Sequence, residues 1–152
     1  MEFFIFLDKI ELEIINLVEN AGYSLAENTS QCLLSNKYAG FLNKKEKTII
    51  ICTNNAKKEE GYKLLNNRNS DKYEKTSLLI KKALRHEAVH VAQECNDGKL
   101  LDIKKGLSIN PAKINALKGS GKISREIEKE KQAYILEDNP KKVKIKLEKY
   151  CL

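Results

Sequence analysis

Apolar residues recur at Phe3, Leu7, Ile10, Ile14, Leu17 and Ala21, in alternating steps of four and three. That spacing lines one face of a helix, and Gly22 is a natural stop, so the pattern predicts a first helix over residues 3–21. The pattern then changes. Two β-prone runs, Leu33–Leu42 and Thr48–Thr53, flank the polar turn NKKEK and predict a hairpin in a small antiparallel sheet. Ile49, Ile50 and Ile51 form a continuous β-branched run, as in a strand covered on both faces. A polar, Asn-rich stretch follows, with a loop at NNRNSD.

Helical spacing returns from Thr76 to Asn96, where Asp97-Gly98 ends it. An irregular connector comes next. In it, Asn110-Pro111 caps a short helix through Leu117, and KGSGK is a break. Ser124 caps a further helix to Glu137. Asn139-Pro140 opens a last helix to Tyr150, in which Val143, Leu147 and Tyr150 share a face, although the alternation in VKIKL also fits a strand. The elements add up to an α+β fold in a single domain, residues 1–152.

Composition narrows the function classes. At 152 residues the chain can bury a core without disulfide staples. No apolar run approaches the ~20 residues of a membrane span, and the N-terminus lacks the basic region and small-residue cleavage site of a signal peptide. The formal net charge is +7, which raises the expectation of an anionic partner. Yet of 28 basic residues only Arg68, Arg85 and Arg125 are arginine, and specific phosphate and base readout favours its planar fork. With no tryptophan and no nucleic-acid motif, the lysines read as a solvated surface. Cys32, Cys52, Cys95 and Cys151 form no C-x-x-C pair and predict reduced thiols in a cytoplasmic protein. A Cys95–Cys151 bridge is conceivable, because both follow predicted helices.

The chemistry concentrates in LRHEAVHVAQEC, residues 84–95, which holds both histidines of the chain. On a helix, residues i and i+4 lie on one face about 5–6 Å apart. His86 and His90 can therefore reach one metal ion, and Glu87 between them can hydrogen-bond a water on that ion without ligating it. Ile80, Leu84, Ala88, Val91 and Cys95 form the apolar stripe of this helix, with Leu79 and Ala83 beneath the histidines. Lys81, Lys82 and Arg85 fall on the remaining side. The competing reading is a pair of half-buried histidines satisfied by Glu94 or a backbone group.

A catalytic zinc needs a third protein ligand, and with no third histidine it must be a carboxylate. In SREIEKEKQAYILED, Ile123, Ile127 and Tyr134 mark a buried face. Glu130 lies among them and Glu126 and Glu137 at the border, whereas Glu128 and Lys129 suit a solvated side. Glu130 is the first candidate for the third ligand and Glu126 the second.

The HEAVH helix, followed 40 residues later by a helical glutamate in E-x-x-A at Glu130–Ala133, resembles the zincin metallopeptidases of the gluzincin type. The order helix, hairpin, active-site helix, ligand helix is also similar. The resemblance implies one zinc per chain on His86, His90 and Glu130, and amide hydrolysis with Glu87 as general base. It implies a peptide or protein substrate paired along an edge strand, here Thr48–Thr53. It further implies an oxyanion-stabilising group, for which Tyr134, Tyr38 and Tyr73 are the candidates. The alternatives are a zincin-like binding module without turnover and a basic nucleic-acid-binding protein.

Overall fold

The computed structural model describes residues 1–62, 70–104, 108–115, 117 and 124–152. Among the described residues, five helices of eight or more residues and a three-stranded sheet are present: α1 Lys9–Asn20, β1 Ser24–Glu27, β2 Gly40–Asn43, β3 Thr48–Ile51, α2 Thr53–Glu60, α3 Asp71–Cys95, α4 Ser124–Leu136 and α5 Pro140–Cys151. Short 3-10 turns cover Glu2–Phe6, Ser30–Leu33 and Pro111–Lys113. The fold is α+β, as the pattern predicts. The NNRNSD and KGSGK breaks lie wholly or mostly outside the described residues, as does Ile123. The short helix expected through Leu117 is present among the described residues: Asn110 Oδ1 accepts from the Ala112 amide, and the turn Pro111–Lys113 leads into helical Ile114, Asn115 and Leu117.

α3 is the spine of the molecule. Its 25 residues span roughly 37 Å at ~1.5 Å per residue. It packs against α1, α4, α5, β2 and β3. Ile80, Leu84, Ala88 and Val91 are fully buried, so the apolar stripe read from the sequence is the one that faces the core. The helix starts earlier than expected, because Ser70 caps it by accepting from the Tyr73 amide.

The first predicted helix is two elements. Asp8 adopts an extended conformation and forms a capping box with Glu11, so the chain turns there and α1 begins at Lys9. The side chain of Glu27 accepts from the amides of Glu2 and Phe3 and from Thr53 Oγ1, tying the preceding 3-10 turn to the end of β1. The buried face of α1 carries Glu11, Ile14, Ile15 and Val18, with Ile10 and Leu17 only half-buried.

The sheet order is β1-β3-β2, with β3 parallel to β1 and antiparallel to β2. The hairpin is confirmed and β1 is an addition. The topology corrects one expectation: of the Thr48–Thr53 run, Thr48–Ile51 is the central strand, its hydrogen bonds taken on both sides, and Thr53 already opens α2, so no substrate can pair with it. β2 is the edge strand beside α3. Gly40 is the point of closest approach: a Cβ there would lie 3.1 Å from Ile50 O and 3.3 Å from Ala83 Cβ. The first part of the predicted Leu33–Leu42 strand is also corrected. Residues 30–33 form a 3-10 turn, and Leu33 and Leu34 are exposed. Asn55 holds this segment by donating to the carbonyls of Cys32, Ser35 and Tyr38.

All four cysteines are bridged, Cys32 to Cys52 and Cys95 to Cys151. This corrects the expectation of reduced thiols, and with it the ground for a cytoplasmic setting, since structural disulfides persist in oxidising compartments. Sequence reading missed Cys32–Cys52 because β3 and the 3-10 turn meet only in the tertiary fold. No helix among the described residues is long and apolar enough to cross a membrane.

Candidate metal centre

The last turns of α3 and the middle of α4 lie side by side, and this brings three sequence-predicted residues together. His90 Nε2 lies 2.5 Å from Glu130 Oε1, and His86 Nε2 lies 3.2 Å from Glu130 Oε2. The two imidazole rings stand edge to face with centroids 4.9 Å apart. One donor atom from each residue fits within a 4.8 Å group, the only such His/Cys/Asp/Glu triad of this kind found among the described residues. Donors around a tetrahedral zinc with ~2.0–2.1 Å bonds sit roughly 3.3 Å apart, so the group has the size of a metal site. Glu126, the second candidate, lies outside it, half-exposed and 3.7 Å from Lys129 Nζ.

Two residues beyond the triad make the stronger argument. His90 Nδ1 lies 2.8 Å from Gln93 Oε1. Gln93 Nε2 donates to Lys129 O and to Gln132 Oε1, which fixes the orientation of the Gln93 amide. Gln132 is held in turn, accepting from the Leu101 amide and donating to its carbonyl. Oε1 of Gln93 must then accept, so His90 Nδ1 donates to it and Nε2 is directed at Glu130. On the other imidazole, Nδ1 lies 3.5 Å from Glu137 Oε2. Each histidine thus has an acceptor behind it and its Nε2 in front, the arrangement that aims imidazoles at a metal.

The electrostatics agree. Burial alone would depress His86, but hydrogen bonds to Glu130 and Glu137, with the charges of Glu87 and Glu130, outweigh it and hold it at about 10 in the metal-free site. Burial pushes against the Glu130 charge too, yet the two histidines hold that carboxyl well below its usual range. Three carboxylates around two imidazoles are an environment built for positive charge.

Glu87 differs from Glu130. It is 7% exposed, and among the described residues no hydrogen bond or ion pair engages its carboxylate. Burial raises its pKa, opposed by His86 and His90. It lines a cleft of about 640 Å³ with His86, His90 and Glu130. β2 and the preceding turn form the opposite wall through Tyr38, Gly40, Phe41 and Leu42. β2 runs along α3 in the same direction, because Gly40 abuts Ala83 and Lys44 Nζ lies 3.1 Å from Glu94 Oε1. The His86–His90–Glu130 triad therefore faces the middle of the edge strand.

Of the tyrosines, Tyr134 lines the cleft with its ring edge-to-face on His86, at 4.6 Å between centroids. Tyr38 lines the far lip and is 51% exposed. Tyr73 is excluded: its hydroxyl donates to Ile5 O and its ring packs on Phe6, away from the cleft. Glu94 pairs with Lys44 rather than with either histidine.

Arg85 and Lys129 correct the helical wheel. Arg85 is buried, with Nε 3.3 Å from Glu11 Oε1 and Nη1 donating to Glu137 O at 2.7 Å. It thereby fixes the backbone of the residue behind His86. Lys129 is largely buried along the cleft wall.

An α+β domain with a two-histidine, one-glutamate group at the floor of a cleft is the class that fold and site define. Residues 3–152 match the family described as a domain of unknown function (DUF8637), and the chain belongs to that family. No curated protein and no solved structure matches it.

Proposed function

We propose that this protein is a zinc-dependent peptidase that hydrolyses an amide bond with Glu87 as general base. The observation that carries the reading is the division of labour among the carboxylates. Glu130 is engaged by both Nε2 atoms and Glu137 stands behind His86, while Glu87 faces the cleft unengaged by the described residues. A zinc ion on His86, His90 and Glu130 would acidify water and polarise a carbonyl. Glu87 then accepts the proton of the attacking water and passes it to the leaving amine nitrogen. Burial raises its pKa, which strengthens it as a proton acceptor. The oxyanion-stabilising role goes to Tyr134, whose ring lies against His86 on the cleft wall.

Strand addition moves from the expected Thr48–Thr53 to β2. An extended substrate laid along the outer edge of Gly40–Asn43 passes over His86 and His90. The lysines are a weaker argument for nucleic acid than composition alone allows, since Lys44, Lys82 and Lys129 at the cleft each face a carboxylate. With both disulfides formed, an oxidising compartment is the setting that suits this site.

The test is to incubate the zinc-loaded protein with a peptide mixture of known sequence and identify new termini by mass spectrometry. Cleavage is expected, and Glu87→Gln abolishes it while zinc stays bound. Equal binding of peptides by wild type and Glu87→Gln without any cleavage would make the protein a binding module instead.

A further inference from the structure

Lys113 belongs to the 3-10 turn Pro111–Lys113, in the connector between α3 and α4 and well away in sequence from the histidines. Its ammonium group nevertheless sits behind the metal centre. Nζ lies 2.6 Å from Glu137 Oε1 and 3.0 Å from Asp138 Oδ2, and donates to Tyr134 O at 2.9 Å. The side chain is 12% exposed. A lysine this far from water needs partners for its charge, and three acceptors meet its three donors.

We propose that Lys113 is a positioning residue for the metal centre and acts through Glu137. This rests on the reading of His86, His90 and Glu130 as a metal site. Two cations place Glu137 and they act on different parts of it. Arg85 fixes its backbone carbonyl. Lys113 fixes one carboxylate oxygen, which leaves the other at 3.5 Å from His86 Nδ1. Without Lys113, Glu137 keeps its place on the chain but loses the contact that aims its side chain. The Glu137 side chain is only 8% exposed, and its carboxylate would turn toward solvent, taking the acceptor from behind His86. Acceptors in this position orient a ligating imidazole, and their loss typically weakens metal binding about 10–100-fold. The sequence of effects runs from the connector to Lys113, to Glu137, to His86. By linkage, seating of the Pro111–Lys113 turn and metal binding then strengthen each other.

The experiment measures zinc affinity by chelator competition on the full-length, disulfide-intact protein. The variants are Lys113→Met, Glu137→Gln, the double variant and Asp138→Asn. Lys113→Met should bind zinc about 10-fold more weakly, and Glu137→Gln about 10–100-fold more weakly. The double variant should be no weaker than Glu137→Gln alone, because one residue acts through the other. Asp138→Asn, which removes a partner of Lys113 but leaves Glu137 in place, should stay within about threefold of wild type, a loss of under ~1 kcal/mol. Lys113→Met should also shift the visible absorption of the cobalt-loaded protein, which general destabilisation does not do. Should Lys113→Met fail to fold, Lys113→Gln, which keeps a donor in place, carries the same comparison with a smaller loss. Wild-type affinity in a folded Lys113 variant, or losses that multiply in the double variant, would overturn the proposal. A wild type that takes up no zinc would overturn the metal reading itself, and the role of Lys113 with it.

Discussion

Gln93 Oε1 stands 2.8 Å from His90 Nδ1, and that contact decides which nitrogen of His90 faces Glu130. The glutamine has no freedom to flip, because its amide nitrogen is already committed to Lys129 O and Gln132 Oε1. Gln93→Leu should keep the helix and the packing but release the imidazole. Zinc affinity is expected to fall about 10–100-fold with a far smaller change in the metal-free melting temperature. Chelator competition beside thermal unfolding separates the two; a matching loss in both would reduce Gln93 to a packing residue.

Tyr134 provides a different kind of test, since it touches a proposed ligand, His86, without belonging to the triad. If its hydroxyl stabilises the oxyanion, Tyr134→Phe should lower kcat about 10²–10³-fold with KM and zinc content nearly unchanged. An unaltered kcat would move that role elsewhere, with Tyr38 on the opposite lip next to be tried.

Acidity acts on the site in two opposed ways. In the metal-free protein His86 is raised from 6.5 to about 10, so it contributes stability fully present below pH 6.5 and lost as pH rises through about 10. Glu130 is lowered from 4.5, so its contribution is present above pH 4.5 and lost as pH falls through its depressed value. The metal-free protein should therefore gain most from this pair between pH 4.5 and 6.5. Zinc must displace the His86 proton, so its stabilising effect should grow from pH 6 to pH 9, an interval below the raised pKa of about 10. Melting temperatures with and without zinc across that range check the sign. A zinc-induced shift that shrinks with rising pH would contradict it.

The disulfides make an independent prediction. Cys95–Cys151 joins the end of α3 to the end of α5 across 56 residues. Replacing both cysteines with serine should cost about 2–4 kcal/mol in denaturant unfolding. Thiol titration of the unfolded, unreduced protein should find no free thiol; four reactive thiols would restore the reduced state that the cysteine spacing suggests.

Much of the site was legible in the sequence because helical periodicity is local. His86 and His90 share a face at any register, and α3 needs only its apolar stripe to set which way they point. Periodicity also picked out Glu130 on α4, but it misplaced that helix's buried face: Ile127 and Tyr134 are only half-buried, whereas Gln132, Ala133 and Leu136 are buried. What periodicity could not supply came from long-range pairing. β1 is too short to declare itself, and the position of Ile49–Ile51 in the centre of the sheet depends on it. The Asp8–Glu11 capping box was present in the sequence as D-x-x-E and would have divided the first helix. Arg85 was misplaced because a wheel assigns charge to solvent, whereas a buried Glu11 on another helix receives it. Gln93 was visible three residues after His90, but its role appears only when Gln132 and Leu101 fix its amide.

The central claim is that His86, His90 and Glu130 hold one zinc ion. Metal analysis of the purified protein after zinc loading and exhaustive dialysis tests it most directly, beside His90→Ala and Glu130→Gln. One zinc per chain in the wild type, with stoichiometric retention lost in both variants, is the predicted result. A folded wild type that retains no metal, or variants that retain as much as the wild type, would contradict it.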